Sequence, residues 1–525
     1  MSAIGNIYLI IFLPLISSLF CQLFGKKSVS FWIALTSCIS LFFLTLKVLP
    51  DVLIYEKISN DFELSPLSIA LEFRLDILGI IFLLLLIFLK IVILFYYRGD
   101  IEKSLDGKDN RIFYSVYLLH LFSLVGIFTT NNLLNLFLFF EIYSFSFFAT
   151  LSISSDLKIA KLSFKYFCLN ATSSLLILFC FLAIYLALGE ISFDKISENL
   201  ALIPKGSRGF LLSIFLLLVS TFIIKFFPLW LYFKKFKSSD LITNFLAIDS
   251  LFIKTNVGIF IALKFIYFFF GNHFVFDNFG NFTNLDFAPI LIFLSLILIF
   301  YSSIKLYQQK HLKMIAAYFC LNNLGFIFAC IALQTIESLQ AAFFYLLNFS
   351  LINLLIFIFA TFLKRYFGTS SINKIWLVKQ DHFLLVLPMK FLVFFIAAFP
   401  LTTLFFANWY LAYASFNFGF EAFLLIGLIV SNFAQANLAI KLIASFFHQG
   451  PNREVITQDE DSKEKTPTIP NKFSNFLPSL GIRKYQFYFL SFWFLIITIY
   501  LSSLVSGLTN NLSLRFASYL LSNTI

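Results

Sequence analysis

Apolar runs long enough to cross a bilayer recur along almost the whole chain, and that recurrence constrains the fold more than any motif. They fall near 4–24, 29–49, 73–97, 112–128, 132–153, 163–188, 209–233, 241–267, 286–304, 314–334, 339–362, 383–411, 419–447 and 485–508. A hydrocarbon core about 30 Å thick needs about 20 apolar residues per helix, so the pattern predicts an all-α polytopic membrane protein of about 14 transmembrane helices. Composition agrees, with 60% hydrophobic and only 12% charged residues, against about 25% charged in soluble domains. A soluble enzyme, a nucleic-acid-binding module, a disordered scaffold and a disulfide-stapled secreted domain are excluded. The chain reads as a single membrane domain over 1–525. The first run lacks a basic n-region and is expected to span rather than to be cleaved. Only 448–484 has the composition of a soluble linker; it is expected to form a polar loop before the last helix, 485–508.

No G-x-G-x-x-G follows a strand pattern, and no cysteine set could ligate a cluster. The six cysteines all lie in apolar runs and are expected to be small buried hydrophobes. The five histidines are scattered. No cofactor and no metal are therefore expected.

The net charge of +11 is read as topology. The loops after odd-numbered spans hold about 25 Lys and Arg, and those after even-numbered spans about four, the basic loops being cytoplasmic. The basic set includes Lys26, Lys27, Arg98, Lys103, Lys158, Lys161, Lys234, Lys235, Lys310, Lys364, Arg365, Arg483 and Lys484; the sparse set is Lys57, Lys195, Lys205 and Arg208. Both termini then lie on the non-cytoplasmic side. The bias toward Phe, Ile, Lys and Asn suits an AT-rich genome, and the expected location is a bacterial cell inner membrane.

Charges inside the apolar runs carry the functional argument. Basic residues within or at the rims of these runs are Lys47, Arg74, Lys90, Lys225, Lys254, Lys264, Lys390, Lys441 and Arg515; acids are Asp76, Glu141 and Asp249. A charge at the bilayer centre costs about 2.5–3.5 kcal/mol on insertion scales. Lys47, Lys90, Lys390, Lys441 and Arg515 are expected to snorkel from helix ends. Glu141, Lys225 and Lys254 lie mid-run and cannot reach water that way. A buried carboxylate and buried ammonium groups on neighbouring helices form a candidate proton relay; the alternative is a structural ion pair. Pro228 and Pro400 fall inside the seventh and twelfth spans and are expected to break them. Broken helices in corresponding places of two halves point to a transporter site.

At this point the residues resemble a known family. TTNNLLNLFLFFEIYSF (129–145) resembles the fifth helix of the D subunit of Mrp-type multisubunit cation/proton antiporters. KYFCLNATSS (165–174) is similar to its sixth, KTNVG (254–258) to its eighth, LKMIAAYFCLNNLG (312–325) to its tenth, and EFRLDILGIIF (72–82) to the start of its third. The resemblance covers about 70–445, and the superfamily includes the antiporter-like membrane subunits of NADH:quinone oxidoreductase. It implies two five-helix repeats, 112–267 and 286–447, with helices 7 and 12 broken, after N-terminal helices 1–3 over 4–97. It implies a subunit without chemistry of its own, in a complex with other membrane subunits, exchanging protons for Na⁺ across a lipid bilayer. Glu141 would be the pairing carboxylate, Lys225 the switching lysine and Lys254 the central relay.

The sequence departs from the family pattern at four places. Lys225 stands three residues before Pro228, where relatives place the lysine about five before; two residues rotate a helix by about 200°, so Lys225 is expected to face away from Glu141 unless the helix is bulged. Asn408 stands where a twelfth-helix lysine is expected, and an amide cannot serve as a base. Asn132 replaces an aspartate and Phe319 a serine. Three readings follow: an antiporter subunit, a membrane-arm subunit of NADH:quinone oxidoreductase, or a structural paralogue whose second half-channel is lost.

Overall fold

The computed structural model describes residues 3–24, 29–64, 69–104, 110–153, 157–202, 208–226, 249–269, 287–367, 371–372, 392–400, 402–416, 421–447 and 508–522. Pro228, Lys390, the loop 448–484 and all but the last residue of the span 485–508 lie outside them. Twelve helices among the described residues are long and apolar enough to cross a membrane, which fits the multi-pass architecture read from the apolar runs. The chain divides into two compact units, 1–287 with 515–525, and 288–514.

The first unit contains α1 (Ala3–Phe24), α2 (Val29–Tyr55), a hairpin of β1 (Lys57–Leu64) and β2 (Ile69–Asp76), α3 (Ile77–Ser104), α4 (Asn110–Thr129), α5 (Leu133–Ser152), α6 (Leu157–Leu188), a short α7 (Phe193–Leu202) and α8 (Arg208–Phe226). Then comes α9, a helix over 249–269 with three parts: a π-helical turn Asp249–Lys254, an α-helical centre Thr255–Leu263 and a second π-helical stretch Lys264–Phe269. Helix α1 packs on α2 and α4, α3 on α2, α5 on α4 and α6, and α8 on α6. Between apolar helices in lipid, close approach and polar contacts decide packing rather than burial from water. Gly126 on α4 shows the close approach: an added Cβ would stand 2.1 Å from the Phe139 ring on α5.

The hairpin corrects the sequence reading, which treated 50–72 as a polar break and began a helix at 73. Strand β2 pairs antiparallel with β1, with Lys57 opposite Asp76 and Ser59 opposite Arg74. Asp76 ends the strand and caps α3, accepting the Gly79 N–H at 2.6 Å, the N-cap to N3 bond that satisfies an orphaned helix donor. The hairpin is tied to the α4–α5 junction, where Asn131 N–H donates to Glu72 O at 3.2 Å and the Asn135 side chain donates to the same carbonyl. The same junction holds α7: Phe193 N–H donates to Asn131 O and Leu133 N–H to Ile191 O. Helix α7 lies inside the predicted break 189–208. Its buried Phe193, Ile196 and Leu200 recur at helical spacing.

The second unit contains α10 (Phe287–Gln308), α11 (Leu312–Leu333), α12 (Ile336–Phe367), α13 (Thr403–Ser415), α14 (Glu421–Phe447) and the start of α15 (Leu508–Ser522). Helix α12 is packed between α11 and α13. A tight turn joins α11 to α12: Gln334 takes φ 53°, and Thr335 and Ser338 exchange backbone-to-hydroxyl bonds at 3.1 Å each way, a reciprocal cap. Around Pro400 the described chain is helical over 392–396, turns through Ala398 at φ 51°, and resumes helix at Thr403 with the Thr402 hydroxyl accepting the Phe405 N–H.

Candidate functional site

Glu141, Lys225 and Lys254 all belong to the first unit. Glu141 stands on the half-buried flank of α5, beside the buried Phe140 and Tyr143. Lys225 lies in the last turn of α8 and is 2% exposed. Its ammonium approaches Glu141 Oε1 at 3.5 Å and donates to Ser174 Oγ on α6 at 2.7 Å. It also stands 5.3 Å from the Phe140 ring centroid, within range of a cation–π attraction. The expectation that Lys225 faces away from Glu141 is therefore corrected. The last turn of α8 points the lysine at α5 and α6, and four methylenes span the remaining angular offset. Lys254 closes the first π-turn of α9, is buried, and lies within electrostatic reach of Lys225 and Asp249.

Lys90 does not snorkel. It is buried on α3, and its ammonium donates to Asp249 Oδ1 at 2.6 Å and meets His120 Nδ1 at 2.7 Å. Asp249 and His120 are equally enclosed, with Asp249 Oδ2 3.8 Å from His120 Nε2. Tyr117 donates its hydroxyl to the Lys90 carbonyl, and its ring lies 4.5 Å from the Lys90 ammonium. The His120 ring stacks on Tyr143 at 4.6 Å. Sequence reasoning named Lys90 and Asp249 only as charges near apolar runs and passed over His120. The usable signal was three ionisable groups in three separate apolar runs, one of them five residues before Lys254.

A further charged group sits where the hairpin meets α7. Arg74 is buried and pairs with Asp194, which also accepts from Asn131 at 3.1 Å. The Tyr519 hydroxyl accepts from Arg74 at 3.1 Å. Burial alone would raise the Asp194 carboxyl; the Arg74 guanidinium beside it and the Arg74 and Asn131 hydrogen bonds outweigh this and hold it below the usual carboxylate range. Lys264, in the second π-stretch, donates to the Thr130 carbonyl at 2.6 Å, one of the carbonyls left open at the end of α4.

The second unit is polar in a different way. Asn322 on α11 donates to Ser302 and Ser303 on α10 and accepts from Ser431 and Gln435 on α14. Asn408 accepts from Tyr345 at 2.6 Å and donates to Asn432 at 2.9 Å. These are neutral dipoles, with no group that exchanges a proton near neutral pH. Of the snorkelling lysines and arginines described, Lys441 donates to Tyr307 O and Arg515 to Leu53 O from exposed positions. Cys168 is exposed on α6, against the expectation that all six cysteines are buried; the other five are buried. Among the described residues no three His, Cys, Asp or Glu side chains are grouped to hold a metal ion.

Comparison with known proteins agrees with this architecture. An antiporter subunit mnhD2 of Staphylococcus epidermidis is 24% identical over 355 residues, covering 66% of this chain and 68% of the relative. NADH-quinone oxidoreductase subunit N of Wolbachia sp. subsp. Brugia malayi is 24% identical over 318 residues, covering 60% of this chain and 65% of the relative. In the solved structure of the Mrp complex from Dietzia sp. DQ12-45-1b, one chain superposes with a TM-score of 0.79 at 15% identity, over 100% of this chain and 98% of that one. Residues 130–434 match the family described as NADH:quinone oxidoreductase/Mrp antiporter, TM. With more than half its length inside that match, the chain belongs to the NADH:quinone oxidoreductase/Mrp antiporter transmembrane family.

Proposed function

We propose that the chain is a membrane subunit of a multisubunit cation/proton antiporter and carries protons through Glu141, Lys225 and Lys254. The observation that carries this reading is the contact of the buried Lys225 ammonium with the half-buried Glu141 at 3.5 Å. While the pair is formed, Glu141 stabilises the charge on Lys225. When it separates, the charge that held the proton is gone, and the proton passes to Lys254 or to water. Re-forming the pair reverses the step, so the pair is the two-state element a conformational change would bias. Serine 174 gives the ammonium a second partner and keeps it oriented in both states. The counter-cation is Na⁺, the companions are other membrane subunits, and the five-helix repeats are 112–267 and 286–447. The location is a bacterial inner membrane with both termini outside, supported by the basic bias of alternate loops.

A second reading is a proton-carrying membrane-arm subunit of an NADH:quinone oxidoreductase, favoured by the likeness to subunit N. In that case the redox chemistry belongs to other subunits. Proton flux into vesicles holding the chain with its co-purified partners tests both. Glu141→Gln and Lys225→Gln are expected to lower flux, and wild-type flux in both variants would refute the relay. Flux driven by a Na⁺ gradient supports the antiporter; flux that requires NADH and quinone supports the second reading.

A further inference from the structure

The first unit holds a charged cluster that the Glu141–Lys225–Lys254 relay does not use. Lys90, His120 and Asp249 come from three helices, α3, α4 and α9, and close a ring of contacts at 2.6, 2.7 and 3.8 Å. The ring fixes its own proton arrangement. A lysine ammonium only donates, so His120 Nδ1, at 2.7 Å from it, must present its lone pair. The imidazole hydrogen then sits on Nε2. That nitrogen points at Asp249 Oδ2, and these two atoms are both buried without a hydrogen-bond partner. A donor and an acceptor thus face each other across a gap about 1 Å too long for a bond. Buried polar atoms are rarely left so, and this pair needs only a small approach, or one bridging water, to close.

Helix geometry links the ring to the relay. The π-turn Asp249–Lys254 closes at five residues, not four, and so brings positions 249 and 254 toward one face. In a regular α-helix five residues would turn them about 140° apart. Asp249 is thereby shared: one oxygen bonds Lys90, and its charge is felt by Lys254.

We propose that Lys90, His120 and Asp249 form a separate proton-holding station, in which His120 relays a proton between Lys90 and Asp249, and Asp249 exchanges it with Lys254. In the forward step the Lys90 N–H bond breaks and a new N–H forms at His120 Nδ1. At the same time the Nε2–H bond breaks and an O–H forms at Asp249 Oδ2. Lys90 becomes an amine and Asp249 a carboxylic acid, the imidazole changes tautomer, and the ring neither gains nor loses a proton. The titratable groups facing the station are Cys38 on α2, Lys90 on α3, Tyr117 and His120 on α4, Tyr143 on α5, and Asp249 and Lys254 on α9. The station stands on its own geometry; only its part in transport rests on the proposed function.

The test combines infrared spectroscopy and flux. The full chain, labelled with ¹³C-aspartate, is placed in lipid nanodiscs and titrated with acid and base. A buried carboxylic-acid band is expected in wild type, absent in Asp249→Asn, and with an altered pH profile in His120→Gln. Should Asp249→Asn fail to fold, Asp249→Glu is expected to remove the label-sensitive band while keeping the ring. The side-chain oxygen in His120→Gln still accepts from Lys90 but the amide cannot pass a proton, so flux in vesicles is expected to fall by at least about tenfold with the melting temperature unchanged. Absence of an Asp249-dependent band, or wild-type flux in a folded His120→Gln, overturns the proposal. Wild-type flux in Glu141→Gln overturns the main relay instead and leaves the infrared result to judge the station.

Discussion

The two units bury polar groups of opposite character. Among the described residues, every buried ionisable side chain of the acidic or basic type lies in the first unit: Arg74, Asp76, Lys90, His120, Lys225, Asp249, Lys254 and Lys264. The second unit buries amides and hydroxyls, including Asn322, Asn323, Asn348, Asn353, Gln340 and Gln435. Charges in a low-dielectric interior are expensive and can change protonation state; amides are cheaper to bury and keep their protons. The first unit therefore encloses groups able to change protonation state, as the proposed relay needs, and the buried polar side chains described in the second unit are neutral dipoles. Asn408 expresses the difference at one position: its side chain joins Tyr345 to Asn432 where the family resemblance led us to expect a lysine.

The largest effect should come from breaking charge balance in the first unit. Lys90→Leu leaves Asp249 buried without its ammonium partner, and removing one member of a buried pair costs about 3–5 kcal/mol. Thermal unfolding followed by tryptophan fluorescence should show this loss. The double variant Lys90→Leu, Asp249→Leu should recover most of it. A single variant as stable as wild type would mean that the first unit tolerates an unpaired charge, and the contrast between the units would lose its physical basis.

Proton flux separates the units more directly. Glu141→Gln should lower flux by about a hundredfold, within the range of a lost proton-transfer group. Asn322→Ala should leave flux within about twofold, because a neutral amide transfers no net proton. Equal losses from the two would show that protons cross both units. Stability sharpens the comparison from the other side. Asn322→Ala removes the amide that joins Ser302 and Ser303 to Ser431 and Gln435 and should cost about 1–3 kcal/mol, read as a lower melting temperature at unchanged flux.

Much of this architecture was legible in the sequence because oil imposes a simple rule: a helix must be apolar for about 20 residues, and any charge inside it stands out. Glu141, Lys225 and Lys254 were found that way. The rule fails where a long side chain offers an escape. Lys90 was expected to snorkel, yet it turns inward because Asp249 and His120 satisfy it there. The rotation argument also misled at Lys225, since it counts helix turns and ignores the reach of a flexible side chain toward Glu141 and Ser174. The π-turn at Asp249–Lys254 leaves no local pattern in composition. The β-hairpin did leave one: Ile69, Leu71, Phe73 and Leu75 alternate with Ala70, Glu72, Arg74 and Asp76, a period of two overlooked because the next apolar run begins inside it.

The smallest effect belongs to the edge of the first unit, where charge meets water. Asp194 is paired with Arg74, but its side chain is 52% exposed, so solvent screens the pair and its worth is under about 1 kcal/mol. Its carboxyl is held below the usual range in the folded chain. A carboxyl depressed in this way stabilises the fold above its unfolded value of about 3.9 and loses that contribution as pH falls through the lower folded value. Wild type should therefore lose slightly more stability than Asp194→Asn as pH drops below about 4, and the two should converge in strong acid. Added salt should narrow the difference, as it does for exposed pairs. A pH dependence as large as that of a fully buried pair would place Asp194 with the enclosed charges of Lys90 and Asp249. The division between an enclosed charged interior and an exposed charged rim, which now separates Lys90 and Asp249 from the hairpin's tether, would then have to be redrawn.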